Sequence, residues 1–196
     1  MRDRLIETLP PVRYRRFLIY LMGPYKAFDV EDVVPEGAAE DTPFLDGTPD
    51  EAGETEDVQA LLERTRDRLR EEIGVNAFLA IDADIPLDEM DAATQSIEFA
   101  RASNVVALVA PQIGKNLGVG IETGSVLEGI DGQRQERVVF VHETGVRSAM
   151  IDSLARRWDA TVATYDDEDE LVDRLRTFVA QIMNAEHTGE LERLDD

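Results

Sequence analysis

The chain has 196 residues, with 42 acidic side chains against 20 basic ones and a formal net charge of -22. Cysteine is absent, which excludes disulfides, thiolate catalysis and cysteine-based metal sites, and two histidines, His142 and His187, are too few for a His-rich metal centre. A body this negative repels phosphate backbones, and no basic face with interleaved aromatics offsets it, so nucleic-acid binding is disfavoured.

Hydrophobic residues make up 43% of the chain, enough for one compact α/β domain over residues 1–185 with a full-sized core. The acids mostly alternate with periodic apolar positions, which argues against a disordered acidic tail. Two lysines, Lys26 and Lys115, stand against eighteen arginines. That balance resembles cytoplasmic proteins of salt-accumulating microbes, and a cytoplasmic location is expected. The start MRDRLIETLPPVRYRR shows neither the apolar region nor the cleavage site of a secretory signal. Apolar runs fall short of the roughly 20 residues that span a bilayer, so no membrane association is expected.

A short helix over 2–9 is expected to end at Pro10-Pro11. Arg13, Arg15 and Arg16 form a basic cluster ahead of the first strand, Arg16 to Met22, which Gly23-Pro24 stops. Residues 27–55 are acidic, rich in Pro, Gly and Thr, and without a sustained period. They read as a long loop, and loops of this length in compact domains are lids or disordered. Val58, Leu61, Leu62, Thr65, Leu69 and Ile73 then mark the stripe of a helix capped by Gly74. Strand 2 is Val75 to Ile81. A helix over 87–102 is expected to bury Met90, Ala93, Ile97 and Ala100. Strand 3, Asn104 to Ala110, is almost wholly apolar and so central, with both faces covered.

The remainder reads as a loop over 111–116, a helix over 118–130, strand 4 from Arg137 to Val141, and a helix near 146–158. Strand 5, Thr161 to Tyr165, precedes a last helix carrying Leu171, Leu175, Phe178, Val179 and Ile182. Residues 186–196 read as a frayed tail. Trp158 and Phe178 read as core, and His142 as a strand-end residue with its hydrogen bonds met. Strands alternating with helices predict a doubly wound five-stranded parallel sheet of order 2-1-3-4-5, with helices on both faces.

In that order the chain leaves strands 1 and 3 in opposite directions. Ligands of such folds sit in the crevice beyond the carboxyl ends of those strands. Both following loops carry glycines, at Gly23 and at Gly118 and Gly120, which admit a ligand close to the backbone. Val119, Glu122, Val126 and Ile130 share one helical stripe, which turns Glu122 toward the sheet rather than the solvent. The positive end of the helix lowers the cost of holding a carboxylate there. Turn chemistry alone also accounts for the glycines, and helix capping for the acid.

Tyr20-Leu21-Met22-Gly23-Pro24-Tyr25 resembles the first-strand signature of the nucleoside 2-deoxyribosyltransferase-like superfamily. Gly118-Val119-Gly120-Ile121-Glu122-Thr123-Gly124 resembles the motif that carries that family's nucleophilic glutamate. The resemblance covers residues 16–130 in topology and two short motifs in sequence. It implies Glu122 as the nucleophile toward an N-glycosidic bond, with Gly23, Pro24, Tyr25, Asn116, Gly118 and Gly120 around the ligand. The ligand it implies is a small-molecule nucleoside or nucleotide, with neither cofactor nor metal. Toll/interleukin-receptor-like domains that cleave NAD share the fold and also use a helix glutamate.

This chain departs from the family pattern at three places. Asn116 replaces an Asp, Val119 replaces the motif Thr, and Ser96 falls where an acid is expected. Asp91 or Glu98 is the nearest stand-in for that acid. A non-catalytic nucleotide-binding or regulatory module and a structural interaction domain are the alternatives, and homo-oligomerisation is left open.

Overall fold

The computed structural model describes residues 1–24, 49–112, 132–146, 156 and 160–194. Helix α1 (Arg2–Thr8) leads into β1 (Tyr14–Met22). Helix α2 (Pro49–Arg68) continues through a π-helical turn, Leu69–Ile73, into β2 (Val75–Phe78). A 3-10 turn, Ala80–Ala83, and α3 (Ala92–Ala102) precede β3 (Val105–Ala110). A 3-10 turn at Gly132–Arg137 enters β4 (Val138–Glu143), and β5 (Thr161–Tyr165) is followed by α4 (Glu168–Thr188).

The five strands form one sheet in the order β2-β1-β3-β4-β5, and every neighbouring pair is parallel. The predicted order and the central place of β3 are both found. Side chains alternate between faces along a strand, and here both faces are apolar. Phe17, Ile19 and Leu21 of β1 pack with Val58, Leu62 and Leu69 of the α2 segment and with Leu171, Leu175 and Phe178 of α4. Leu18, Tyr20 and Met22 face the other way, onto Leu5 and Ile6 of α1 and Phe99 and Ala100 of α3. The sheet is therefore the middle of three layers.

Several boundaries differ from the sequence reading. Helix α2 begins at Pro49, so residues 49–55 are helical rather than loop, and the rest of that expected loop lies outside the described residues. Strand β2 stops at Phe78 because Asp82 turns the chain, its carboxylate accepting the Leu79 amide at 2.9 Å. In α3 the buried positions are Gln95, Phe99, Ala100 and Ala102, while Ala93 is exposed. The large Phe99 ring sets the rotation of that helix by packing on Tyr20 and Phe78. The helix expected at 118–130 and Trp158 lie outside the described residues, as does the helix expected at 146–158 apart from Val146 and Arg156, of which Arg156 is helical.

Of the tail expected to fray, residues 186–193 are instead held. Helix α4 runs to Thr188 and ends at Gly189, whose φ of 80° closes the last turn through a bond to the Ala185 carbonyl. Glu186, near its end, is buried against Arg137 and Asn104, at 2.5 and 2.9 Å. Arg137 reaches on to the Glu192 carbonyl at 2.5 Å. The strand starts at Tyr14, so Arg15 and Arg16 of the basic cluster lie within β1 rather than ahead of it; Arg15 donates to the Ile6 carbonyl at 2.8 Å, and Arg13 lies 5.0 Å over the Tyr14 ring.

Candidate functional site

The crevice predicted from the strand order begins where β1 and β3 end side by side, with Met22 paired to Leu108. Gly23 follows β1 and is buried. A Cβ at this position would stand 2.6 Å from Leu62 Cδ1 and 3.3 Å from the Val109 carbonyl oxygen. The approach of α2 and β3 therefore disfavours a side chain here, whatever a ligand demands. Pro24, next in the chain, is half-buried. The remaining predicted site residues, Tyr25, Asn116, Gly118, Gly120 and Glu122, lie outside the described residues.

One strand further along the same edge stands a polar group that the sequence reading did not single out. Glu143 ends β4, half-buried, and its Oε2 accepts the backbone N–H of Gln112 at 2.8 Å. The Gln112 side-chain amide donates to the Thr144 carbonyl. Gly145 has φ 102°, and a Cβ there would stand 2.5 Å from Gln112 Nε2. Both the left-handed backbone and the missing side chain are thus needed for Gln112 to tie the exit of β3 to the exit of β4.

Glu143 is the register partner of Tyr165 on β5, so the two side chains leave the sheet on one face. Tyr165 is 3% exposed, and its hydroxyl has no hydrogen-bond partner among the described residues. Burial, reinforced by the neighbouring Glu143 carboxylate, pushes the phenol well above its ordinary range. The hydroxyl is therefore a proton-bearing donor throughout the neutral range. His142 lies on the opposite face, its Nδ1 3.1 Å from the Glu143 carbonyl. The sequence signal for this group was the polar His142-Glu143-Thr144-Gly145 run directly after the apolar body of β4.

Other residues weighed from sequence have packing or capping duties. Tyr20, in the first motif, stacks on Phe78 with centroids 5.2 Å apart, and its hydroxyl is 3.5 Å from Ser96 Oγ. Asp91 caps α3, accepting the Thr94 amide at 3.0 Å and the Thr94 hydroxyl at 2.6 Å. Those bonds, the hydroxyl first, hold its carboxyl below the usual value. Glu98 pairs with Arg101 at 3.0 Å on the surface of α3. Among the described residues no group of three or more His, Asp or Glu side chains is arranged to hold a metal ion. No helix among them is long and apolar enough to cross a membrane.

A five-stranded parallel sheet of this order, with helices on both faces, defines a flavodoxin-like α/β domain. The chain belongs to the family described as a domain of unknown function (DUF7509), whose family model matches residues 2–195. No curated protein matches the chain in sequence.

Proposed function

We propose that this protein acts on the N-glycosidic bond of a nucleoside or nucleotide, as a hydrolase or deoxyribosyltransferase, with Glu122 as nucleophile. The observation that carries the reading is the adjacency of β1 and β3 as parallel neighbours. The first motif spans the end of β1 and the second comes after β3 in the sequence, so the reading assigns both to the point where the strand order reverses. The chemistry needs a carboxylate that attacks C1′ while the bond to the base breaks and the departing nitrogen takes a proton. Water or a second base then attacks C1′ and frees the carboxylate.

The test is turnover in molar KCl. Deoxynucleosides with acceptor bases, nucleoside monophosphates and NAD are incubated with the protein, and released base is read by chromatography. Release that vanishes in Glu122→Gln, with melting temperature unchanged, is expected. Release unaffected by that substitution would remove Glu122 from the chemistry.

A second reading, a nucleotide-binding or regulatory module without turnover, draws on Gly23. Its lack of a side chain is accounted for by Leu62 and Val109, so that glycine favours no particular chemistry. Asn116, Val119 and Ser96 also stand where the family pattern has other groups. Under this reading Glu122→Gln changes nucleotide affinity, with no base release to lose.

A further inference from the structure

We infer that Glu143 and Tyr165 form a hydroxyl-binding pair that takes a sugar hydroxyl of the ligand; this rests on the nucleoside reading above. The two side chains leave the sheet on one face at its carboxyl edge, as register partners on β4 and β5. Their chemistry is complementary in one respect. Tyr165 offers an O–H donor that is buried and without a partner among the described residues. Glu143 is an acceptor, fixed in place through one oxygen by the Gln112 amide at 2.8 Å. A ligand hydroxyl is both acceptor and donor, so one such group satisfies Tyr165 and Glu143 together. An ammonium group would satisfy Glu143 alone, and a phosphate would be repelled by it.

The position suits the same ligand. Strand β4 is the neighbour of β3, and Glu143 lies one residue beyond the His142 that pairs with Ala110. Neighbouring strands are about 4.8 Å apart, so β4 is about 10 Å from β1 across the edge, roughly the length of a nucleoside. Buried polar groups in folded proteins are nearly always paired, so the orphaned Tyr165 hydroxyl calls for a partner, and a ligand hydroxyl at this edge supplies one.

The experiment compares the wild type with Tyr165→Phe and Glu143→Gln in molar KCl. Calorimetry follows binding of adenosine, 2′-deoxyadenosine and 3′-deoxyadenosine, and thermal melting is recorded without nucleoside. Tyr165→Phe is expected to melt no lower than the wild type, because it removes a hydroxyl that has no partner. A clearly lower melting temperature would mean that the hydroxyl is already bonded within the protein and would overturn the pair. Both variants are expected to bind adenosine about tenfold more weakly. One of the deoxyadenosines should bind all three proteins alike, because it lacks the hydroxyl concerned. Unchanged adenosine affinity in both variants overturns the pair and leaves the proposed function standing. A wild type that binds none of the three nucleosides overturns the proposed function and the sugar assignment with it.

Discussion

Arg137 and Glu186 form an ion pair inside the protein, their side chains 4% and 9% exposed and their charged atoms 2.5 Å apart. Glu186 also accepts from Asn104 Nδ2 at 2.9 Å, and Asn104 Oδ1 accepts the Leu18 amide and the Arg2 guanidinium, each at 3.0 Å. One polar network thus joins α1, β1, the entrances to β3 and β4 and the end of α4 at the amino edge of the sheet. This is the edge opposite the candidate site. The network fixes the scaffold without occupying the crevice.

Removing one partner of a buried pair leaves the other charge without compensation, at a cost of about 3–5 kcal/mol. Arg137→Met is therefore expected to lower unfolding stability by about that amount, because among the described residues Glu186 then keeps only the Asn104 amide. Urea unfolding in molar KCl measures it. A Glu186→Leu/Arg137→Met double variant should recover most of the loss, since it removes both charges. A single variant as stable as the wild type would show that the network carries little of the fold.

Gly23→Ala tests the close approach of β1, α2 and β3. The added methyl meets Leu62 Cδ1 at 2.6 Å, and Leu62 is fully buried and has little room to turn away. Overpacking of this kind costs about 1–3 kcal/mol. The companion change Leu62→Ala opens space, so the two substitutions together should destabilise by less than the sum of the separate effects. Strict additivity in denaturant unfolding would mean that Gly23 is required for another reason.

These two positions also mark how far the sequence could be read. The strands were legible because each is a short apolar run, and β3 was legible as central because neither of its faces carries a polar residue. The α2 stripe through Val58, Leu62, Thr65 and Leu69 was equally plain, and all four are buried. The start of α2 was not, because residues 49–56 carry acids and glycine rather than an apolar stripe. The rotation of α3 was missed because small alanines gave two competing stripes, and only the contact of Phe99 with Tyr20 and Phe78 decides between them. Glu186 read as a tail residue because its partners Arg137 and Asn104 are 49 and 82 positions away. Of the predicted site, Gly23 and Pro24 fall among the described residues. Glu143 and Tyr165 escaped notice because their pairing arises from strand register, which no local motif encodes.

Asp91 gives a pH dependence with a definite sign. Its carboxyl is held below its ordinary value of 3.8, first by the Thr94 hydroxyl and then by the Thr94 amide. A carboxyl depressed in the folded state contributes stability that is present above its unfolded value and lost as pH falls through the folded one. Asp91→Asn keeps an N-capping side chain but does not titrate. The wild type should therefore be the more stable of the two at pH 6, with the gap closing as pH drops below about 3.8. Thermal melting of both proteins between pH 6 and 3 follows this difference, and a gap that widens toward acid would contradict the assignment.

On each edge strand an arginine donates to a backbone carbonyl. Arg70 Nε donates to the Ala77 carbonyl of β2 at 2.7 Å, and Arg174 Nε donates to the Thr164 carbonyl of β5 at 3.1 Å. Tyr165 turns its own carbonyl inward to the Thr144 amide at 2.8 Å, so that of Thr164 points outward, where another chain could pair. Edge strands with free backbone groups are templates for self-association, and β5 is short and uncharged in Thr161-Val162-Ala163-Thr164. Arg174→Ala uncovers that carbonyl and is expected to promote dimers or larger species. Arg176→Ala is the control, since it removes the same charge from the same helix while its bonds go to Glu72 and Asp173. The net charge of -22 opposes association in dilute buffer, and the Debye length falls to about 3 Å at 1 M salt. The difference between the two variants should therefore be largest in molar KCl. Sedimentation velocity reads it directly, and equal sedimentation of the two variants across that salt range would show that Arg174 does not guard the edge.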